Sequence, residues 1–119
     1  MERFRKLGIS EQILKSIQEH NFEKPSEIQE KTIPLVLQGK DVIAGASTGS
    51  GKTLAFGSAI LQNTRKDYGI KALVLTPTRE LAEQNSKALN RFSKHNPLKI
   101  IPIYGGVSIE PQISALRHA

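Results

Sequence analysis

The sequence predicts an α/β fold, a parallel sheet with helices on both faces, and two observations carry that reading. Short, largely apolar segments over 41–45, 71–76 and 99–104 alternate with stretches of helical character. Strands buried on both faces read as such apolar runs, and alternation with helices means a parallel sheet covered by them. Between the first of these segments and the helix after it lies Ala46-Ser47-Thr48-Gly49-Ser50-Gly51-Lys52-Thr53. A glycine-rich loop in that strand–loop–helix setting is the second observation.

Taken in order, a helix is expected over 10–20. Ser10 stands where it can cap, Glu11 suits the first turn, and Ile13, Leu14 and Ile17 share a face. A second helix starts at Ser26, and Pro34 disrupts it or begins a further short turn before Gly39. The strand over 41–45 and a helix from about Gly51 to Asn63 follow. After the strand over 71–76, Thr78 caps a helix with Leu81, Ala88, Leu89 and Phe92 on one side. The strand from Lys99 to Tyr104 leads to a Gly105-Gly106 turn, and Pro111 opens a last helix at its first position. In parallel sheets ligands collect at the carboxyl ends of the strands. The loops at 45–51, 76–78 and 104–106 all lie on that one edge, where function is expected.

The loop at 46–53 fits a nucleoside triphosphate. Consecutive backbone N–H groups must approach the β- and γ-phosphates, and glycine permits this because it has no Cβ and tolerates positive φ. Lys52 would reach the phosphates and Thr53 the Mg²⁺ riding on them. The general pattern opens with glycine at the place of Ala46, a small residue that still fits. A plain Gly/Ser turn explains Lys52 poorly, since a cation at a helix N-terminus opposes the helix dipole unless an anion sits there.

The composition sets bounds. At 119 residues the chain is one domain at most, with 38% hydrophobic and 24% charged residues, as in globular chains. No apolar run approaches the roughly 20 residues of a membrane span. The N-terminus lacks the apolar stretch of a secretory signal. No cysteine is present, which excludes a disulfide framework and thiolate chemistry. His20, His95 and His118 share no ligand spacing and are expected at the surface, without a metal role. These features fit a cytoplasmic protein. The net charge of +6 favours a polyanionic partner only if the cations lie near a site.

Three further stretches each have two readings. In Pro77-Thr78-Arg79-Glu80-Leu81-Ala82, ordinary capping explains Thr78 and Glu80, whereas Arg79 among unsatisfied N–H groups is better placed to meet a phosphate. Gly105-Gly106 is either a tight turn or a bare backbone that lets a nucleic-acid phosphate approach. Ser26-x-x-Gln29 is a capping-box pattern. The same Gln29 amide can instead pair with adenine, with Phe22 as a stacking face. Phe4 taken alone reads as a core aromatic.

Together these stretches resemble the DEAD-box RNA helicases, specifically the first of their two RecA-like domains. Phe22-x-x-Pro-Ser-x-Ile-Gln29 looks like the family's Q motif, with Phe4 at the spacing of its isolated upstream aromatic. Residues 46–53 match motif I, Pro77 to Ala82 match motif Ia, and Gly105-Gly106 fall where the family has its GG motif. Departures are small: Asn21 replaces a usual glycine, Ser26 a commoner threonine, and Gly45 a frequent glutamine. Asn tolerates left-handed backbone, so Asn21 need not disturb its turn.

The resemblance implies an incomplete RecA-like P-loop NTPase domain, with residues 1–40 the Q-motif region and 41–119 the start of the core. It implies ATP and Mg²⁺ as cofactors. The ATP-binding set is Phe4, Phe22, Lys24, Gln29, Ala46, Ser47, Thr48, Gly49, Ser50, Gly51, Lys52 and Thr53. Lys52 and Thr53 are its catalytic members, and Thr53 meets Mg²⁺ through the nucleotide. It also implies RNA held by its sugar-phosphate backbone at Pro77, Thr78, Arg79, Gly105 and Gly106. The chain reaches Ala119 before any Asp-Glu-Ala-Asp. The expectation is therefore weak nucleotide binding, negligible hydrolysis and no unwinding by this polypeptide alone, with self-association through unpaired sheet edges. The competing readings are a binding module for RNA or a partner without catalysis, and another P-loop NTPase such as a DNA helicase.

Overall fold

The computed structural model describes residues 1–47, 51–67 and 69–117. Its described elements are six helices: α1 (Glu2–Arg5), α2 (Glu11–Glu19), α3 (Glu27–Leu37), α4 (Lys52–Asn63), α5 (Arg79–Phe92) and α6 (Ile109–Leu116). The core lies among the first five. Phe4, Ile9, Ile13, Leu14, Ile17, Ile33, Leu54, Leu61, Leu89 and Phe92 form one buried cluster. Packing is closest between α3 and α4 and between α4 and α5.

The helix expected over 10–20 is α2, but Ser10 does not cap it through its side chain. Its backbone N–H instead donates to Gln62 Oε1 at 2.8 Å, and Gln62 Nε2 donates to the Gly8 carbonyl at 2.9 Å. One amide of α4 thus pins the turn between α1 and α2. At its other end α2 closes in a Schellman arrangement. The Asn21 N–H donates to Gln18 O and the Phe22 N–H to Ile17 O, with Asn21 left-handed at φ 61°. His20 and His95 are half-buried rather than surface residues: His20 packs on Phe92, and His95 bonds Glu19 at 2.6 Å. His118 lies outside the described residues.

Two prolines behave differently from expectation. α3 runs through Pro34 to Leu37, because losing one N–H bond costs less than giving up the burial of Thr32 and Ile33. Pro111 is the third residue of α6, not the first. The whole first turn lacks acceptors for its N–H groups, so proline is tolerated there.

The expected parallel sheet is not formed within the described residues. Among the described residues no strand is present; 41–47, 70–76 and 97–104 carry neither ladder nor helix. One set of side chains meets the helices: Leu98 and Ile100 pack against the core. The other set is uncovered, with Ile43 fully exposed, Leu73 80% and Leu75 85% exposed. α6 buries no residue, so helices do not cover both faces. The apolar runs are present, yet a ladder needs paired neighbours and its second face a cover, and the described residues supply neither. No helix is long and apolar enough to cross a membrane among the described residues.

Candidate nucleotide and nucleic-acid site

The site grows from the junction of α3 and α4. Ser26 caps α3: its hydroxyl accepts from the Gln29 N–H, while the Gln29 Oε1 accepts from the Ser26 N–H at 3.0 Å, a complete capping box. The remaining end of the Gln29 amide reaches forward, Nε2 donating to the Gly51 carbonyl at 3.2 Å. Gln29 is 3% exposed. The cap thus orients the amide towards Gly51, at the start of α4. An amide has two donors and two acceptor lone pairs, so each end keeps one further bond to give.

Gly51 is fixed by two demands. It caps α4 with φ 86°, where an L side chain is strained, and a Cβ added there would stand 2.2 Å from Gln29 Nε2. Lys52, the first residue of α4, is exposed. Thr53 is half-buried, and its hydroxyl donates to Asn85 Oδ1 on α5 at 3.1 Å. That bond spends the proton of Thr53 and leaves its oxygen lone pairs, hard donors of the kind Mg²⁺ takes. Ala46 and Ser47 open the loop, and Thr48, Gly49 and Ser50 lie outside the described residues.

The other members of the expected set divide. Phe22 keeps 44% of its surface exposed and rests on Phe92, ring centroids 6.0 Å apart. It has an open face for stacking. Lys24 is exposed beside it in sequence. Phe4 is wholly buried in the core and presents no face to a ligand.

At the N-terminus of α5 the Thr78 hydroxyl accepts from the Leu81 N–H at 3.1 Å, the ordinary cap. Pro77 is exposed ahead of it. Arg79 lies over the ring of Tyr104, its guanidinium carbon 4.4 Å from the centroid. Gly106 is left-handed at φ 81°, and a Cβ on it would come within 3.9 Å of Arg79 Nη1. Gly105 is exposed next to it. The motif stretches at 77–82 and 105–106 thus share one patch. The phenol of Tyr104 donates to Glu83 Oε1 at 2.7 Å. That bond, with partial burial and the Glu83 charge, raises the phenol above its ordinary range and keeps it protonated.

α5 links the parts. Arg79, Asn85 and Phe92 lie along it, the first and last about 20 Å apart at 1.5 Å per residue. Asn85 and Tyr104 were not expected from the sequence. Asn85 carries no motif signal, whereas an aromatic directly before a Gly pair could have drawn notice to Tyr104.

Comparison with known proteins agrees with these features. A family model described as DEAD/DEAH box helicase matches residues 26–119. The chain is 49% identical over 114 residues to the DEAD-box ATP-dependent RNA helicase RhpA of Helicobacter pylori, covering 96% of this chain and 23% of that protein. It is 48% identical over 118 residues to the DEAD-box ATP-dependent RNA helicase CshA of Geobacillus kaustophilus, covering 98% and 25%. The chain therefore spans about a quarter of the length of these relatives. Among solved structures it resembles a DEAD box protein of the hyperthermophile Methanococcus jannaschii, with TM-score 0.93 and 44% identity over 98% of this chain and 32% of that one. It also resembles S. cerevisiae Dbp5 bound to RNA and ADP BeF3, with TM-score 0.75 and 35% identity over 81% and 25%. The motif stretches, their packing and these matches lead to one conclusion: the chain belongs to the DEAD/DEAH box helicase family.

Proposed function

We propose that this chain is the ATP-binding and RNA-contacting part of an ATP-dependent RNA helicase, residues 1–40 forming the adenine-reading segment and 41–119 the start of a RecA-like core. The observation that carries the reading is the Gln29 amide, held by the Ser26 cap and donating to the Gly51 carbonyl of the phosphate loop. Adenine offers a donor and an acceptor on one edge, which suits the bond each end of that amide still has to give. Phe22 stacks on the base from its exposed face. Lys52 and the loop over 46–51 hold the phosphates. Thr53 meets the Mg²⁺ carried by them, and that ion neutralises charge on the phosphates.

RNA lies across Pro77, Thr78, Arg79, Gly105 and Gly106, held by its backbone and not read by sequence. The basic charge of the chain then has a purpose. Strands from the remainder of a longer protein pair with 41–45, 71–76 and 99–104 and complete the parallel sheet. The carboxylates that activate the attacking water come from the same remainder. Hydrolysis and unwinding belong to that longer protein, which the composition suits to the cytoplasm.

ATP turnover is the test. The complete polypeptide should hydrolyse ATP faster when RNA is added, and Lys52→Ala should abolish it; the 119-residue chain alone should show no turnover. Turnover by the short chain, removed by Lys52→Ala, would contradict the division of labour. RNA stimulation surviving Lys52→Ala would contradict the site.

A further inference from the structure

Arg79 and Glu83 are one helical turn apart on α5, the spacing at which an arginine and a glutamate ordinarily pair. Tyr104 comes between them. Its phenol takes the Glu83 carboxylate at 2.7 Å, and its ring lies under the Arg79 guanidinium at 4.4 Å. The tyrosine is itself fixed from behind. Its backbone N–H donates to Gln112 Oε1 at 2.9 Å, and Gln112 Nε2 donates to the Ser108 carbonyl at 3.1 Å. The loop carrying Gly105 and Gly106 is thus tied at Tyr104 and at Ser108 through one Gln112 amide.

The consequence is directional. A guanidinium paired with a carboxylate turns its N–H edge inward and has its charge offset by that neighbour. A guanidinium stacked on an aromatic face keeps that edge available, since the ring meets the plane and not the N–H bonds. Here the edge lies beside Gly106, where a missing side chain leaves the backbone open.

We propose that Tyr104 is a positioning residue for RNA: by engaging Glu83 and stacking under Arg79, it holds the guanidinium edge beside Gly106 so that one phosphate meets both. This rests on the reading of Arg79 as an RNA-backbone contact. Tyr104 touches no substrate in this account; it acts through Arg79.

The test is the binding of a fluorescent single-stranded RNA to the full chain across a range of KCl concentrations. It compares wild type, Arg79→Ala, Tyr104→Ala, Tyr104→Phe and the Arg79→Ala/Tyr104→Ala pair. Arg79→Ala should weaken binding about fivefold and reduce the salt slope by about one. Tyr104→Ala should reproduce both effects, and the double variant should be no weaker than Arg79→Ala alone. Tyr104→Phe, which keeps the ring but releases the Glu83 carboxylate towards Arg79, should lose an intermediate share of the affinity. Tyr104→Leu replaces the alanine variant if that one melts early. If Arg79→Ala changes neither affinity nor slope, the RNA reading of Arg79 fails and this inference with it. If Arg79→Ala weakens binding but Tyr104→Ala does not, or if the two losses add, the inference alone is overturned.

Discussion

At Gln29 a single buried amide closes a helix cap and also grips the carbonyl of Gly51, so residues 22 positions apart are set by one side chain. The sequence leaves the capping box and the adenine reading as alternatives for one amide, because spacing along a chain cannot show where its far end points. The structure completes the capping box, and its bonds aim the Nε2 end at Gly51. Gly51 depends on the same contact. Gly51→Ala would force a left-handed alanine, at about 1–2 kcal/mol, and drive its methyl into Gln29. The expected result is a lower thermal midpoint together with loss of nucleotide binding, read by calorimetric melting and a fluorescent-nucleotide titration. Phe4 illustrates the limit of motif reading at this scale. The family spacing includes it in the nucleotide set, yet its ring lies wholly within the core. The plain reading of a lone apolar aromatic describes its placement.

Among elements, α5 joins the parts: Thr78 and Arg79 at its start, Asn85 bonded to Thr53 in its middle, Phe92 under Phe22 at its end. Phe92→Ala should cost about 3–5 kcal/mol, as for a buried aromatic, and remove the support of Phe22. Chemical denaturation measures the first effect. Glu19 gives this end of α5 a pH dependence. Hydrogen bonds from Lys94 and then His95 hold its carboxyl below the usual glutamate range. A lowered carboxyl pKa stabilises the fold above the ordinary value and loses that contribution as pH falls through the lowered one. The thermal midpoint of wild type should therefore exceed that of Glu19→Gln near neutral pH, and the gap should close in acid. Melting both proteins across pH checks it. Helices α2 to α5 are legible in the sequence because apolar spacing and caps agree over two or more turns. α1 is not, since four residues carry no period. The end of α2 rests on Asn21, whose left-handed tolerance is readable, but its two closing bonds are visible only in three dimensions.

For the molecule as a whole, the apolar runs are the clearest signal in the sequence and the least satisfied feature of the structure. Ile43, Leu73 and Leu75 stand exposed, and the radius of gyration of 14.6 Å exceeds the about 13.5 Å of a compact domain of this length. A sheet depends on partners distant in sequence, so its strands can be legible one by one while the ladder is not. Exposed apolar segments without paired edges favour self-association. The 119-residue chain should sediment as a concentration-dependent oligomer, and the Leu73→Lys/Leu75→Lys pair should shift it towards monomer; a wild-type monomer at all concentrations would oppose this. Adenine recognition is tested most directly by the affinity of the full chain for fluorescent ATP and GTP analogues with and without Gln29→Ala. A preference for ATP of about tenfold or more, as expected when a buried amide reads the base edge, should collapse in the variant. Equal affinity for the two nucleotides, or a preference that survives Gln29→Ala, would contradict it.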